Sequence, residues 1–302
     1  MNKKKVVLLG GGHGLSAIIN SFIDQDLETS IIVSTTDNGG HTGLLRKEFD
    51  VPALGDIRRC LVELIKDPTL KNLFSHRFNI IHDIENVSLG NLMLLSLIDN
   101  DLETTLLKLK DTLKLDATIL PSLNYASDIY AKYEDGEIVK GEENIPSNKK
   151  IKDIFYKEKV EITNNVRKVL EEADYIVISP GSLYTSILPI LAIEQIQNII
   201  KKSKAKLMYI SNIMTQHKET DNYTILDIVK VIEKKIRKKL DVIISSSSPI
   251  DLDKIENYSQ EFSYPINKSK DKRIKYYDLL DDVCKQIRHD YKKLKEAIKK
   301  EM

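Results

Sequence analysis

Short apolar runs alternate with longer stretches of helical periodicity along most of the chain. An apolar run of about four to eight residues between turn signals indicates a buried strand, and an apolar repeat of about 3.6 residues indicates an amphipathic helix. The predicted strands are Lys4–Leu9, Ser30–Thr35, Ala117–Leu120, Tyr175–Ile178, Lys206–Ile210 and Val242–Ser245. Helical patterns cover Leu15–Phe22, Asp56–Ile65, Ser88–Leu97, Leu102–Leu113, the residues after Tyr184, and Thr224–Lys235. The alternation predicts an α/β fold with a doubly wound, mostly parallel sheet and helices on both faces.

Two features at the edges of this pattern complete the predicted fold. Ile129–Tyr133 and Glu137–Lys140 alternate on either side of Asp135–Gly136, which indicates an inserted β-hairpin. An apolar stripe beginning at Val283 predicts a C-terminal helix over about 283–300. Because the chain has no internal repeat and no clean linker, we expect a single domain over residues 1–302, with the hairpin subregion at about 121–156.

Glycine is concentrated near the amino terminus, where seven of the 12 glycines lie within the first 43 residues. Four of them follow the first predicted strand, in the segment Gly10-Gly11-Gly12-His13-Gly14-Leu15-Ser16-Ala17. Gly12, Gly14 and Ala17 fit the pattern of a phosphate-binding loop. In such loops glycines allow a tight turn and a close approach to the phosphate, and the small third residue lets the helix pack on the strand. The segment predicts a phosphate-binding turn; the alternative is a glycine turn without a ligand.

A second polar cluster follows the second predicted strand. Asp37 stands where dinucleotide-binding enzymes keep an acidic residue for the ribose hydroxyls. Gly39 and Gly40 would let the backbone lie against a substrate, with Asp37 and Asn38 supplying polar contacts. A structural Asx turn at Asp37 is the alternative.

Two more polar clusters, Ser179–Ser186 and Asn212–His217, also follow predicted strands. Gly181 and Ser182 stand at a predicted helix start and could cradle an anion, although Ser182 acting as an ordinary N-cap is the alternative. Since the carboxyl ends of parallel strands lie at one edge of a sheet, we expect all four clusters to converge on one crevice.

The composition narrows the possible partners. With 46 basic and 45 acidic residues, the formal net charge is +1, which argues against binding nucleic acid by bulk charge. No stretch approaches the roughly 18 apolar residues of a membrane span. The two cysteines, Cys60 and Cys284, are too few and too far apart for a disulfide framework, and the cytoplasm is the expected location.

The sequence offers little evidence for catalysis. It contains no G-x-S-x-G elbow and no suggestive pairing of histidine and cysteine. Asp37, Asp56 and Asp221 could hold a divalent cation against ligand phosphates, although their spacing does not require it. No catalytic residue and no cofactor other than this cation is therefore predicted.

Taken together, the motifs resemble one known family. The strand followed by Gly-Gly-Gly-x-Gly-Leu-Ser, then Asp37-Asn38-Gly39-Gly40, then Pro52-x-x-Gly55-Asp56-Ile57-Arg58, is similar to the YvcK-like gluconeogenesis-factor family of the CofD-like superfamily. Later motifs follow in the same order: Ser88-Leu89-Gly90-Asn91-Leu92, Pro180-Gly181-Ser182-Leu183-Tyr184-Thr185-Ser186 and Met214-Thr215-Gln216-x-x-Glu219-Thr220-Asp221. The resemblance covers nearly the whole chain, from about Lys4 to Arg288-His289-Asp290.

This resemblance implies a Rossmann-like three-layer fold and a cytoplasmic protein tied to central carbon metabolism, cell-wall synthesis and cell shape. It also implies binding of UDP-N-acetylglucosamine without established catalysis. We expect the protein to form a homo-oligomer, a dimer. The residues predicted to bind the ligand are Gly11, Gly12, Gly14, Asp37, Asn38, Gly39, Gly40, Asp56, Asn91, Gly181, Ser182, Asn212, Thr215, Tyr258 and Arg288. Tyr258 and Arg288 match positions that contact the uridine sugar.

Several departures from the family pattern bear on the alternatives. The enzyme branch of the superfamily transfers a phospholactyl-type group from an activated nucleotide to a deazaflavin precursor. Asn38 stands in place of a usual aspartate, and so removes a carboxylate that a metal-dependent transferase would use. His13 replaces a usual threonine, and His217-Lys218 a usual Pro-Gly. These changes favour a nucleotide-sugar-binding regulator over the transferase. A third hypothesis is a nicotinamide-dependent dehydrogenase, which only the glycine pattern and Asp37 support.

Overall fold

The computed structural model describes residues 3–81, 84–251, 262–284 and 286–302. The strands in this part of the chain are β1 (Lys4–Gly10), β2 (Leu27–Val33), β3 (Arg77–Ile81), β4 (Ile84–Ser88), β5 (Ala117–Pro121), β6 (Tyr130–Tyr133), β7 (Ile138–Lys140), β8 (Ile151–Phe155), β9 (Tyr175–Ile178), β10 (Lys206–Ile210), β11 (Val242–Ser246) and β12 (Ile274–Tyr277). The helices are α1 (Gly12–Ile18), α2 (Gly40–Phe49), α3 (Gly55–Leu64), α4 (Pro68–Ser75), α5 (Leu89–Leu97), α6 (Leu102–Leu113), α7 (Asn164–Glu171), α8 (Leu188–Leu191), α9 (Glu194–Lys202), α10 (Ile225–Ile236) and α11 (Tyr291–Glu301). Short 3₁₀ turns occupy Ile19–Phe22 and Glu142–Asn144, and a π-helical turn occupies Leu183–Ile187.

Seven of the described strands form one parallel sheet in the order β12-β11-β10-β9-β1-β2-β5. The chain adds strands outward from β1 in one direction and then returns to β9, on the other side of β1, before adding strands in the opposite direction. This reversal is the topological switch point of a doubly wound sheet. The prediction of a Rossmann-like α/β fold is confirmed.

Alternating residues of the strands bury side chains on both faces of the sheet. In β1, Val6 and Leu8 belong to one hydrophobic core, whereas Val7 and Leu9 belong to the other. One core is closed by α7, α9 and α10, and the other by α1, α3, α6 and α11. Because strands of a parallel sheet are buried on both faces, their sequences are continuously apolar rather than alternating.

A smaller antiparallel sheet, in the order β7-β6-β8, is inserted between β5 and α7. The predicted hairpin forms its first two strands. Ala131 and Ile154 pack into one of the two main cores, and the Tyr133 hydroxyl donates a hydrogen bond to the Ile145 carbonyl at 2.7 Å. The insertion is therefore anchored to the main sheet, and it brings Glu142 to the edge where β1 ends.

The predicted C-terminal helix is wrong in its first half. α11 begins at Tyr291, because the Asp290 side chain caps it by accepting hydrogen bonds from the backbone N–H groups of Lys292 and Lys293. Val283, which the apolar stripe included, is 95% exposed. Residues 279–281 instead pair with residues 288–290 through an antiparallel bridge between Leu280 and His289.

In the residues that the structure covers, no single helix has the length and apolar character needed to cross a bilayer. One bent pair, Leu183–Leu191 with Glu194–Lys202, meets the criterion by length and composition alone.

Candidate functional site

A cleft of about 680 Å³ opens beyond the carboxyl ends of β1 and β9, at the topological switch point. Open α/β sheets bind their ligands at this position. The volume falls within the range of about 300–1,000 Å³ that is typical of small-molecule sites. We therefore treat this cleft as the candidate site.

The cleft gathers most of the residues that the sequence singled out. Those that line it are Gly11, Gly12, Gly14, Asp37, Asp56, Gly181, Ser182, Asn212, Thr215 and Arg288. Asn38, Gly39, Gly40 and Asn91 do not line it, and Tyr258 lies outside the described residues. The loops after β1, β2, β9 and β10 thus meet at one edge of the sheet.

The first turn packs directly on the turn that follows β9. A Cβ atom added at Gly14 would lie 2.2 Å from the carbonyl oxygen of Pro180 and 2.7 Å from the nitrogen of Gly181, so only glycine fits there. Gly12 has a φ of +62°, in the left-handed region that favours glycine. The glycines of the first turn therefore serve the contact between the two turns as well as the turn itself.

The side chain of Asn212 ties the turn after β9 to the strand beside it. Its Oδ1 accepts a hydrogen bond from the Gly181 N–H at 3.0 Å, and its Nδ2 donates to the Gly181 carbonyl at 2.8 Å. Gly181 has a φ of +146°, a backbone conformation that favours glycine, and the Asn212 side-chain amide holds the Gly181 backbone in this conformation. Asn212 acts here as a positioning residue for the cleft wall.

Ser182 caps the π-helical turn and is held by a buried carboxylate. Its Oγ accepts from the Thr185 N–H at 3.0 Å and donates to Glu219 Oε2 at 2.5 Å. Glu219 also accepts from the side chain of Gln216 at 2.8 Å. Burial raises the pKa of Glu219. The N-cap alternative for Ser182 is thus observed in the structure, and the Glu219 contact was not foreseen.

One expected phosphate donor is already occupied. The N–H of Gly12 donates to Asp56 Oδ2 at 2.5 Å, and the other carboxylate oxygen of Asp56 accepts from Arg59. Asp56 lies in the first turn of α3, so its carboxylate closes the positive end of α1 from the side. A ligand phosphate would use the neighbouring N–H groups of the first turn of α1, which lack helical partners.

Carboxylates line one side of the cleft. Asp37 Oδ1 accepts from the Gly39 N–H at 2.9 Å, so the Asx-turn alternative is observed, although Asp37 also faces the cleft. Burial, and then the nearby Asp56, raise the pKa of Asp37. Glu142 reaches the cleft from the inserted sheet, and burial followed by repulsion from Asp37 raises its pKa to about 7.

Positively charged side chains line the same cleft. Arg59 and Arg288 both line the cleft, and Arg288 is exposed. His13 stands in the first turn, and burial followed by the charges of Arg59 and Arg288 lowers its pKa. The cleft therefore presents cationic and carboxylate groups to the same bound molecule.

The residues that the cleft excludes have structural roles. Asn38 Oδ1 accepts from the Glu143 N–H at 3.0 Å and so secures the inserted segment. A helix begins where an open loop was predicted: Gly39 is the N-cap of α2 and Gly40 is its first residue. Asn91 is buried in α5, where its N–H donates to the Ser88 N-cap at 3.4 Å.

The predicted trio of aspartates does not assemble as a cation site. Asp37 and Asp56 line the cleft, but Asp221 lies elsewhere, bonded to the Lys218 N–H at 2.7 Å. Among the described residues, no group of three or more histidine, cysteine, aspartate or glutamate side chains is arranged to hold a metal ion.

Several polar residues at this edge were not predicted as site residues, among them Arg59, Glu142 and His289, which line the cleft, and Glu219, which holds Ser182. Arg59 follows Arg58 of a quoted motif, and Glu219 belongs to the Thr215-Gln216-x-x-Glu219 motif, so both carried a signal. Glu142 carried no such signal, because tertiary packing alone brings it there. His289 stands in the Arg288-His289-Asp290 segment of the resemblance but was not predicted as a site residue.

The sheet order and this polar cleft define a Rossmann-like α/β protein with its site at the switch point. Residues 6–280 match the family model for 2-phospho-L-lactate transferase CofD. The chain therefore belongs to the CofD family and, within it, to the YvcK-like gluconeogenesis-factor group.

Relatives in this group match over most of their length. The Gluconeogenesis factor of Halalkalibacterium halodurans is 38% identical, over 99% of this chain and 96% of that protein. The Gluconeogenesis factor of Bacillus subtilis is 36% identical, over 88% and 86%. The crystal structure of protein BH3568 from Bacillus halodurans superposes with a TM-score of 0.93 at 35% identity, over 98% of this chain and 99% of that one.

Proposed function

We propose that this protein binds a nucleotide sugar of the UDP-N-acetylglucosamine type in the cleft and acts as a regulatory gluconeogenesis factor. The observation that carries the proposal is the contact between the turn at Gly14 and the turn at Pro180–Gly181, which closes the switch point around a cleft of nucleotide-sugar size. The names of the relatives support the link to gluconeogenesis.

Each side of the cleft suits one part of such a ligand. Backbone N–H groups in the first turn of α1, together with the Arg288 guanidinium, supply donors for a diphosphate. Asp37, in the loop after β2, suits ribose or sugar hydroxyls, which donate to carboxylates. The carboxylates that line the cleft would repel a bare polyphosphate, whereas the hydroxyl groups of a nucleotide sugar would donate hydrogen bonds to them.

The proposal extends to the biological role. A regulator of this kind would couple the supply of a cell-wall precursor to carbon metabolism and cell shape in the cytoplasm. We further propose that the protein is a homodimer, which light scattering of the purified chain would test by its mass relative to the 34.5 kDa protomer.

Calorimetric titration with UDP-N-acetylglucosamine tests the binding directly, with GDP and NADH as competing ligands and with UMP and N-acetylglucosamine as fragments. We expect saturable binding of the nucleotide sugar and weaker binding of either fragment. No heat and no thermal shift at millimolar ligand would overturn the proposal. Formation of a phospholactyl product from an activated nucleotide and a deazaflavin acceptor would replace it with the transferase alternative.

A further inference from the structure

The wall of the cleft contains a buried histidine with one unpaired ring nitrogen. His289 lines the cleft but is only 6% exposed. Its Nε2 has no hydrogen-bond partner in the described part of the chain. Buried polar side-chain atoms are paired in the great majority of cases, so an unpaired one in a ligand cleft needs an explanation.

The protein holds this ring firmly. The Asp290 N–H donates to the Leu279 carbonyl at 2.8 Å, and the Asp281 N–H donates to the Arg288 carbonyl at 3.0 Å, so both neighbours of His289 are fixed by the short antiparallel ladder. Asp290 in turn caps α11. The backbone on either side of the ring is therefore immobilised before any ligand arrives.

The hydrogen bond at the other ring nitrogen defines the chemistry of Nε2. The ring is bonded to the backbone of Ser211, at the end of β10, and this bond raises the histidine pKa, so a ring N–H donates to the Ser211 carbonyl. Burial outweighs this effect and lowers the pKa of His289 to about 4, so the imidazole is neutral at physiological pH. A neutral ring that donates at one nitrogen can only accept at the other.

The chemistry of an acceptor selects the ligand group that can pair with it. A deprotonated phosphate oxygen carries no proton to donate and would meet the Nε2 lone pair unfavourably. A sugar hydroxyl or an amide N–H would satisfy it. Arg288, the adjacent residue, is exposed in the same wall and suits the anionic part of the molecule.

We propose that Nε2 of His289 accepts a hydrogen bond from a hydroxyl or N–H group of the bound ligand, and so selects nucleotide sugars or nucleosides over bare phosphates. This inference rests on the proposed function, because it assigns a role within the same cleft. His289 is thus a specificity-determining residue of the site.

The experiment uses the full-length protein and the His289→Asn variant. Asparagine keeps a side-chain N–H near the Ser211 carbonyl and lacks the second ring nitrogen. We expect the variant to bind UDP-N-acetylglucosamine about tenfold more weakly, the usual order for one lost hydrogen bond. Its unfolding temperature should stay close to that of the wild type. His76→Asn is the matched control, since His76 is exposed and does not line the cleft.

Nitrogen-15 NMR of histidine-labelled protein adds a readout that a purely structural role would not change. Saturation with UDP-N-acetylglucosamine should move the His289 Nε2 resonance upfield, as expected when an unprotonated ring nitrogen accepts a hydrogen bond. UDP as a second probe locates the donor: a shift with UDP places it on the nucleoside, and a shift with the sugar nucleotide alone places it on the sugar.

The outcomes separate the two proposals. If the wild type binds UDP-N-acetylglucosamine and the folded variant binds it equally well, the role of His289 is overturned while the proposed function stands. A stationary Nε2 resonance at saturation also overturns the role of His289. If the wild type does not bind, the proposed function fails and the role of His289 fails with it.

Discussion

Replacing Gly14 with alanine tests whether the packing of the two turns shapes the cleft. The added Cβ would lie 2.2 Å from the Pro180 carbonyl oxygen, whereas real Cβ contacts essentially never fall below 3.0 Å. The Pro180 oxygen belongs to the backbone and the added Cβ is attached directly to the backbone, so neither atom can move aside as the end of a side chain would. The two turns must therefore separate by about 0.8 Å, the difference between these distances.

Two opposing effects determine the change in stability. Gly14 lies within α1, where alanine is favoured over glycine by about 1 kcal/mol. Overpacking a well-packed site costs about 1–3 kcal/mol, and more when backbone must move. We expect the clash to win, with a net loss of about 1–2 kcal/mol. At about 2–4 °C per kcal/mol, the unfolding temperature should fall by several degrees.

Thermal unfolding and titration with UDP-N-acetylglucosamine measure the two consequences separately. The affinity of Gly14→Ala should fall at least tenfold, because the turns that would hold the diphosphate are displaced. Gly39→Ala is the matched control: its φ is −83° and its Cβ would lie 3.5 Å from Asp37 Oδ1, an ordinary contact. A Gly14→Ala protein with wild-type unfolding temperature and affinity would show that the packing of the two turns does not shape the cleft.

Three further predictions concern the walls of the cleft. Because the pKa of Glu142 is raised to about 7 from an ordinary 4.5, its ionisation destabilises the fold as pH rises through this window. Glu142→Gln should therefore match the wild type at pH 4.5 and be more stable at pH 8, by at most about 3 kcal/mol, in urea unfolding. Asn212→Ala removes both hydrogen bonds to Gly181 and should cost about 1–3 kcal/mol of unfolding free energy, with weaker ligand binding. Arg288→Ala should leave thermal stability unchanged, because the residue is exposed, and weaken UDP-N-acetylglucosamine about tenfold or more in calorimetry.

Each of these predictions has an outcome that contradicts it. Equal stability of Glu142→Gln and wild type at pH 8 would show that the carboxylate is well solvated. One hydrogen bond contributes about 1 kcal/mol to stability. If the unfolding free energy of Asn212→Ala lies within about 0.5 kcal/mol of the wild-type value, Asn212 does not have the positioning role. Lys292→Ala removes one exposed positive charge outside the cleft, so a similar loss of affinity there would reduce Arg288 to a general electrostatic effect.

The parallel strands of the main sheet were the predictable part of the fold. β1, β9, β10 and β11 are short, continuously apolar runs, and such runs signal strands that are buried on both faces. The convergence of their loops followed from topology alone, since parallel strands end at one edge. β12 was missed because it is an edge strand within a lysine-rich segment, where only Ile274 is buried.

The details of the cleft depend on contacts between distant parts of the sequence. Asp56 captures the Gly12 N–H across 44 positions in the chain, and no local pattern reports such a contact. Glu142 reaches the site because the inserted sheet packs on the main core, and His289 because a two-strand ladder replaces the start of the predicted C-terminal helix. Local periodicity cannot distinguish that ladder from a helix when apolar spacing happens to fit both.

The location of the bound ligand can be seen in a crystal structure of the protein in complex with UDP-N-acetylglucosamine. We expect the diphosphate to lie between the first turn and the Pro180–Gly181 turn, within hydrogen-bonding distance of backbone N–H groups in the first turn of α1. Ligand density at another surface, or a diphosphate that contacts neither turn, would contradict it.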